Sequence, residues 1–251
     1  GPAVVLVPGI GSGSKLFGTL PRRFEKAGFQ CLRFDPVGIA PSSAHDGAFD
    51  FEEAGKDLLA VTEDAGLADF DLVGTSLGGK VSLVAAGLAP ERIRRLVLLA
   101  ASAISTPRSK RIYRFFEILA RRLQASELAE AMAAFLFGYS FHNKHPQVVA
   151  DILRSMQLDE ASRSLMAAQA HSLQTFDEGS TAARLTCPAL CIAGSEDTLT
   201  DQDEIITTAQ AFPNGEFRLI SGAGHSLLLE APEALTLVLG FLQPNAAPQA
   251  P

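Results

Sequence analysis

The chain has 251 residues, 47% hydrophobic and 20% charged, with 21 Lys and Arg against 28 Asp and Glu for a net charge of −7. This composition excludes a disordered, collagenous or coiled-coil chain, and an acidic chain without a basic run is a poor partner for nucleic acid. No uncharged apolar run reaches the roughly 18 residues of a membrane span, and no basic stretch precedes an apolar one as in a signal peptide.

Ala3-Val4-Val5-Leu6-Val7 is a short continuous apolar run, the pattern of a strand buried on both faces. Pro8-Gly9-Ile10-Gly11-Ser12-Gly13 ends it, and helical spacing runs from Ser14 to Ala27. A strand is predicted at 30–34, a turn-rich loop at 36–50, a helix at 51–64, a strand at 71–73, a helix at 77–88 and a strand at 95–99. Strand and helix in alternation predict a parallel sheet covered on both sides.

The alternation breaks at Ser105. From there to Arg184 only helical periodicity is present, in segments 112–123, 126–137, 146–156 and 160–175. Some 80 residues without a strand is too long for a loop in a compact domain, so this stretch reads as an all-helical insertion. Strands resume at 189–193 and 217–220, separated by a helix at 203–212, and a last helix is predicted at 232–242. The Pro/Ala-rich tail from 244 to 251 reads as frayed. The expected units are therefore a core of residues 1–104 and 185–251 and a helical cap of residues 105–184.

Gly74-Thr75-Ser76-Leu77-Gly78-Gly79 lies between a predicted strand and a predicted helix. A serine nucleophile has to stand exposed at the end of a strand, on a turn too sharp for bulky neighbours. Glycines two before and two after it leave that room, and the following helix N-terminus faces incoming negative charge. A serine at its ordinary pKa needs a base. Of the five histidines, His225 follows Gly222-Ala223-Gly224 just past a strand, with Glu230 and Pro232 after it. His45, His142, His145 and His171 fall in the early loop or the helical stretch and read as polar surface or cap residues. The base in turn needs an acid. Gly194-Ser195-Glu196-Asp197 follows another strand, and Asp197 is ranked ahead of its neighbour Glu196. Acyl transfer also needs oxyanion donors, assigned to the backbone N–H groups of Leu77 and Ile10.

With these residues in this order, the chain resembles the α/β-hydrolase fold superfamily, in the manner of small bacterial serine esterases and enol-lactonases with a helical cap. The likeness covers almost the whole chain, including Pro90-Glu91-Arg92-Ile93-Arg94-Arg95-Leu96-Val97-Leu98 after the elbow helix. It implies a mostly parallel central sheet flanked by helices, with an inserted helical cap. Two departures stand out: Pro8-Gly9 replaces the His-Gly of many relatives, and the antiparallel strands that usually open the fold are absent, which leaves about six parallel strands.

The resulting expectation is a serine hydrolase acting on a small-molecule carboxylic ester or lactone through an acyl-enzyme on Ser76, with His225 as base and acid and Asp197 as orienter. A thioesterase or a C–C bond hydrolase would use the same triad, and a non-catalytic binding protein on this fold is the remaining alternative. Ser76 at the elbow counts against an epoxide hydrolase or a dehalogenase, whose nucleophile is aspartate, and leaves Tyr113 and Tyr139 as cap packing or pocket lining. No cofactor and no metal are expected. Cys31, Cys187 and Cys191, odd in number and without metal-like spacing, argue against a disulfide framework and for a reducing cytoplasm. Neither a nucleic-acid nor a membrane partner is expected, and monomer and homodimer stay open, as does the origin of Gly1-Pro2. Residues 105–184 hold ten basic and eight acidic side chains, six of the basic ones between Arg108 and Arg122. A solvated helix face is the preferred reading, with an entrance for anionic substrates as the alternative. Phe115, Phe116, Phe135, Leu136, Phe137 and Phe141 are candidates for cap core or pocket wall.

Overall fold

The computed structural model describes residues 1–45, 47–156 and 158–243. Its centre is a six-stranded parallel sheet of β1 (Ala3–Val7), β2 (Gln30–Arg33), β3 (Phe70–Thr75), β4 (Ile93–Leu99), β5 (Ala189–Gly194) and β6 (Gly215–Ile220). The spatial order is β2-β1-β3-β4-β5-β6. β1 and β5 are buried on both faces along their whole length, which explains their unbroken apolar runs. Along β1, Ala3, Val5 and Val7 enter one core cluster while Val4 and Leu6 enter the other; in β5, Ala189, Cys191 and Ala193 oppose Leu190 and Ile192. The first cluster is closed by α2 (Phe51–Asp64), α3 (Leu77–Leu88) and α10 (Gln202–Ala211) through Leu58, Val81, Leu83 and Ile205. The second is closed by α1 (Leu20–Lys26) and α12 (Pro232–Leu242) through Phe24, Leu235 and Val238.

Helix boundaries follow local chemistry. Asp50 caps α2 by accepting the Glu53 N–H at 2.9 Å. The helix expected from Ser14 to Ala27 is two pieces, a 3-10 turn at Ser14–Phe17 and α1, because Gly18 interrupts it at φ 45°. Between β4 and β5 lie α4 (Pro107–Arg122), α5 (Ala125–Leu136), α6 (Tyr139–Lys144), α7 (Pro146–Ser155), α8 (Glu160–Leu173) and α9 (Gly179–Arg184). The sequence pattern missed α6 and α9, six residues each, too short to show a helical period. It also missed the single turn α11 (Leu227–Glu230). The two ends of this excursion are pinned together: Ser105 N–H donates to Phe176 O at 2.9 Å and Glu178 N–H to Ala103 O at 2.8 Å. The reading of residues 244–251 as frayed falls outside the described residues. Among the described residues no helix is long and apolar enough to cross a membrane.

The chain runs from β1 to β2 on one side and then crosses to β3 on the other. This reversal opens a crevice at the carboxyl ends of β1 and β3, where sheets of this kind bind ligands. The loop at 8–13 and Ser76 flank it.

Candidate active site

Ser76 follows β3 and precedes α3 with φ 54° and ψ −120°, a left-handed conformation that an L-residue adopts at a cost of about 1–3 kcal/mol. The surroundings enforce it. Ser76 N–H donates to Leu99 O of β4 at 2.8 Å, and Gly79 N–H returns to Ser76 O at 3.0 Å. The flanking glycines are required by close approach. A Cβ on Gly78 would lie 2.3 Å from Val7 O, and one on Gly74 would lie 2.5 Å from Gly78 O.

Three side chains predicted from different loops meet here. Ser76 Oγ is 2.8 Å from His225 Nε2, and His225 Nδ1 is 2.8 Å from Asp197 Oδ2. The other Asp197 oxygen accepts the N–H groups of Leu199 at 2.8 Å and Thr200 at 3.0 Å. The Asp197 side chain is fully shielded and that of His225 nearly so. A carboxylate so held keeps a proton on Nδ1, leaving Nε2 to accept the Ser76 hydroxyl proton. Glu196, the competing acid, points elsewhere and accepts the N–H and Oγ–H of Ser140 at 2.8 and 2.6 Å. The other histidines do not reach Ser76: His142 Nε2 lies 3.0 Å from Ala133 O, and His171 pairs with Glu117.

Leu77 opens α3, so its N–H has no carbonyl one turn back to bond. Among the described residues neither it nor the Ile10 N–H donates to any acceptor. Gly9 passes close to the serine, since a Cβ there would sit 3.6 Å from Ser76 Cβ. The next glycine, Gly11, has φ 60°, and its N–H donates to Gln169 Oε1 of α8 at 2.8 Å. Gln169 had no signal in the sequence; it is a buried polar residue in an apolar helix face, a pattern recognisable only once the helix's buried side is known.

Ser76 and His225 open into a cavity of about 40 Å³. Ile10, Phe116, Leu128, Met132, Leu136 and Met166 form much of its wall, with Tyr113 and Thr200 as polar members. Burial, with the negative charges of Glu204 and Asp197, pushes the Tyr113 phenol above its ordinary range, so it stays protonated. Of the aromatic candidates, Phe116 lines this cavity, Phe115 is half-exposed, and Phe137 and Phe141 join Val149 in a separate cluster. Tyr139 is exposed and lies outside the cavity.

Among the described residues no lysine or arginine lines the cavity. Arg108 donates to Thr198 O at 2.8 Å, while Arg114 and Arg121 pair with Glu117 at 2.8 and 3.1 Å. Burial opposes ionisation of Glu117, but donors from Gln174, Arg114, Arg121 and His171 outweigh it and hold its pKa down at about 2. These contacts accord with the solvated-face reading of the basic segment. Behind the elbow, the fully buried Lys80 donates to Ser102 O at 2.6 Å and lies over the Phe176 ring. Burial pushes its pKa down to about 7 against the pull of Glu204.

The chain belongs to the alpha/beta hydrolase fold family, which it matches over residues 2–232. It is 28% identical over 247 residues to the serine hydrolase BPHL of Mus musculus, covering 96% of this chain and 79% of that protein. It is 29% identical over 249 residues to the pyrrolizixenacetamide deacetylase of Xenorhabdus hominickii, covering 95% and 90%. Among solved structures, an alpha/beta hydrolase enzyme from a Medee basin deep-sea metagenome library superposes with a TM-score of 0.91 at 22% identity, covering 99% of this chain and 92% of that one, a likeness of fold alone. A thermophilic esterase from Thermogutta terrifontis superposes with a TM-score of 0.83 at 26% identity, covering 95% and 88%.

Proposed function

We propose that this chain is a serine hydrolase that cleaves a small carboxylic ester or lactone with an uncharged, apolar acyl or alcohol part. The observation that carries the reading is the continuous hydrogen-bonded run Ser76–His225–Asp197 opening into an apolar cavity. His225 Nε2 removes the Ser76 proton as Oγ attacks the carbonyl carbon. The oxyanion takes the N–H groups of Leu77 and Ile10, and Asp197 stabilises the imidazolium. Collapse of the tetrahedral intermediate breaks the C–O bond, and the alcohol leaves with the proton from His225. Water, deprotonated by His225, then attacks the acyl-enzyme, and Ser76 regains its proton as the acid departs.

Residues 1–104 and 185–251 form the catalytic core in this reading, and residues 105–184 form a cap over it. The same parts serve an amide acyl group, a reading favoured by the relative named a deacetylase. A panel of matched neutral esters, thioesters and amides, run with the wild type and Ser76→Ala, tests the proposal. Ester turnover that Ser76→Ala abolishes supports it. Turnover of only the thioester or amide moves the bond type, and binding without turnover of any of them contradicts the proposal.

A further inference from the structure

The loop that carries His225 is held by a carboxylate with no part in the steps above. Glu230 lies one helical turn after Ser226, and helical side chains lean toward their own N-terminus. Glu230 Oε2 accepts the Gly224 N–H at 2.8 Å, and Oε1 accepts the Ser226 N–H at 2.9 Å. The backbone N–H groups on both sides of His225 therefore end on one side chain. Oε2 also accepts the N–H of Gly138 at 2.8 Å, from the turn between α5 and α6, and Ser226 N–H is shared with Leu136 O at 3.0 Å.

The two backbones are in tight contact. A Cβ on Gly224 would lie 2.1 Å from Gly138 N, and one on Gly138 would lie 2.9 Å from Gly224 N. Glu196 completes the seam on the neighbouring loop through Ser140. The helical excursion thus touches the core beside both His225 and Asp197 through two carboxylates.

We infer that Glu230 is a positioning residue: it fixes the backbone on both sides of His225 and ties that geometry to the seating of the 138–140 turn. The inference rests on the reading of Ser76, His225 and Asp197 as the reacting group. The imidazole has to present Nε2 to Ser76 and Nδ1 to Asp197 at once, so its Cα–Cβ direction matters. N–H bonds to a carboxylate are roughly twice as strong as those to a neutral acceptor. Releasing them frees the Gly224 N–H and leaves the Ser226 N–H on Leu136 O alone, and a misplacement of about 1 Å costs on the order of 10²-fold in rate.

The test is Glu230→Gln, which keeps the volume but replaces one acceptor oxygen by an NH₂ group facing an N–H. Two readouts are taken: kcat and KM on a neutral ester, and the imidazole nitrogen NMR signals of His225, which need no turnover. The expected result is a kcat lower by about 10²-fold with KM within about twofold, together with loss of the single Nδ1–H signal that the wild type should show. A folded variant with unchanged kcat, or with lowered kcat and an unchanged His225 signal, overturns the inference. If Glu230→Gln does not fold, Glu230→Asp, which keeps the charge and shortens the reach, is read the same way. Glu196→Gln leaves Ser140 one acceptor oxygen in place of two while keeping Gly224 and Ser226 bonded, and should leave the His225 signal intact. An equal disturbance there would assign the imidazole to cap seating alone and overturn the role of Glu230. If the wild type turns over none of the esters, thioesters and amides, the reading of Ser76 fails, while the NMR arm still decides the question of Glu230.

Discussion

Ser76, Asp197 and His225 stand at the carboxyl ends of β3, β5 and β6, whereas Phe116, Leu128, Met132, Leu136 and Met166 reach the same cavity from the helices between β4 and β5. The first group is held by backbone. Ser76 N–H continues the ladder to Leu99 O, Ser195 N–H that to Ile220 O, and Glu196 N–H donates to Ala223 O at 2.8 Å. The second group is held by side-chain packing in small clusters. The sheet side can therefore keep these three side chains in register while the helical side changes what fits beside them. Errors on the sheet side should cost rate or folding, and changes on the helical side should cost selectivity.

The largest effect belongs to Ser76→Ala. Its kcat should fall by at least about 10⁴-fold with the melting temperature nearly unchanged, since the alanine inherits the same backbone conformation. A comparable loss of stability would place the residue in the scaffold instead. Gly78→Ala should damage folding, because the added carbon meets two backbone oxygens, Val7 O and Pro8 O at 2.3 and 2.4 Å, which cannot rotate away. Gly240 in α12 provides the contrast: a Cβ there meets nothing within 4 Å, so Gly240→Ala should stabilise by about 0.5–1 kcal/mol. Thermal melts of the two variants side by side check both signs.

On the helical side, Phe116→Ala enlarges the cavity. It should move the optimum of kcat/KM toward longer acyl chains, with a gain of roughly tenfold or more for an added methylene that fits, and kcat on the shortest ester nearly unchanged. A uniform loss across the series would mean that the wall also aligns the reacting groups. The smallest effect is one of pH. The Glu117 pKa is depressed in the folded state to about 2 from its ordinary 4.5. Its contribution to stability is therefore present above about pH 4.5 and is lost as pH falls toward 2. Melts from pH 6 to pH 3 should fall less steeply in Glu117→Gln than in the wild type.

The same contrast governs what the sequence disclosed. Strands buried on both faces have to be continuously apolar, so β1, β4 and β5 were visible as runs. The glycines around Ser76 and ahead of His225 are imposed by backbone contact and were equally visible. Order along the chain then paired Ser76, Asp197 and His225 without any coordinates. The helical excursion hid more, because α6 and α9 are each under two turns and because Phe116 and Phe141, alike in the sequence, pack in different clusters. Gly138 gave no sign that it meets Gly224 and Glu230, partners that lie 86 and 92 residues away and are brought close only by the fold.

The central claim is that Ser76 is an activated nucleophile, and the most direct measurement is the intact mass of the protein after exposure to a fluorophosphonate. A single adduct on the wild type that is absent from Ser76→Ala is the predicted result. A folded wild type that stays unmodified, or an adduct that persists in Ser76→Ala, would contradict it.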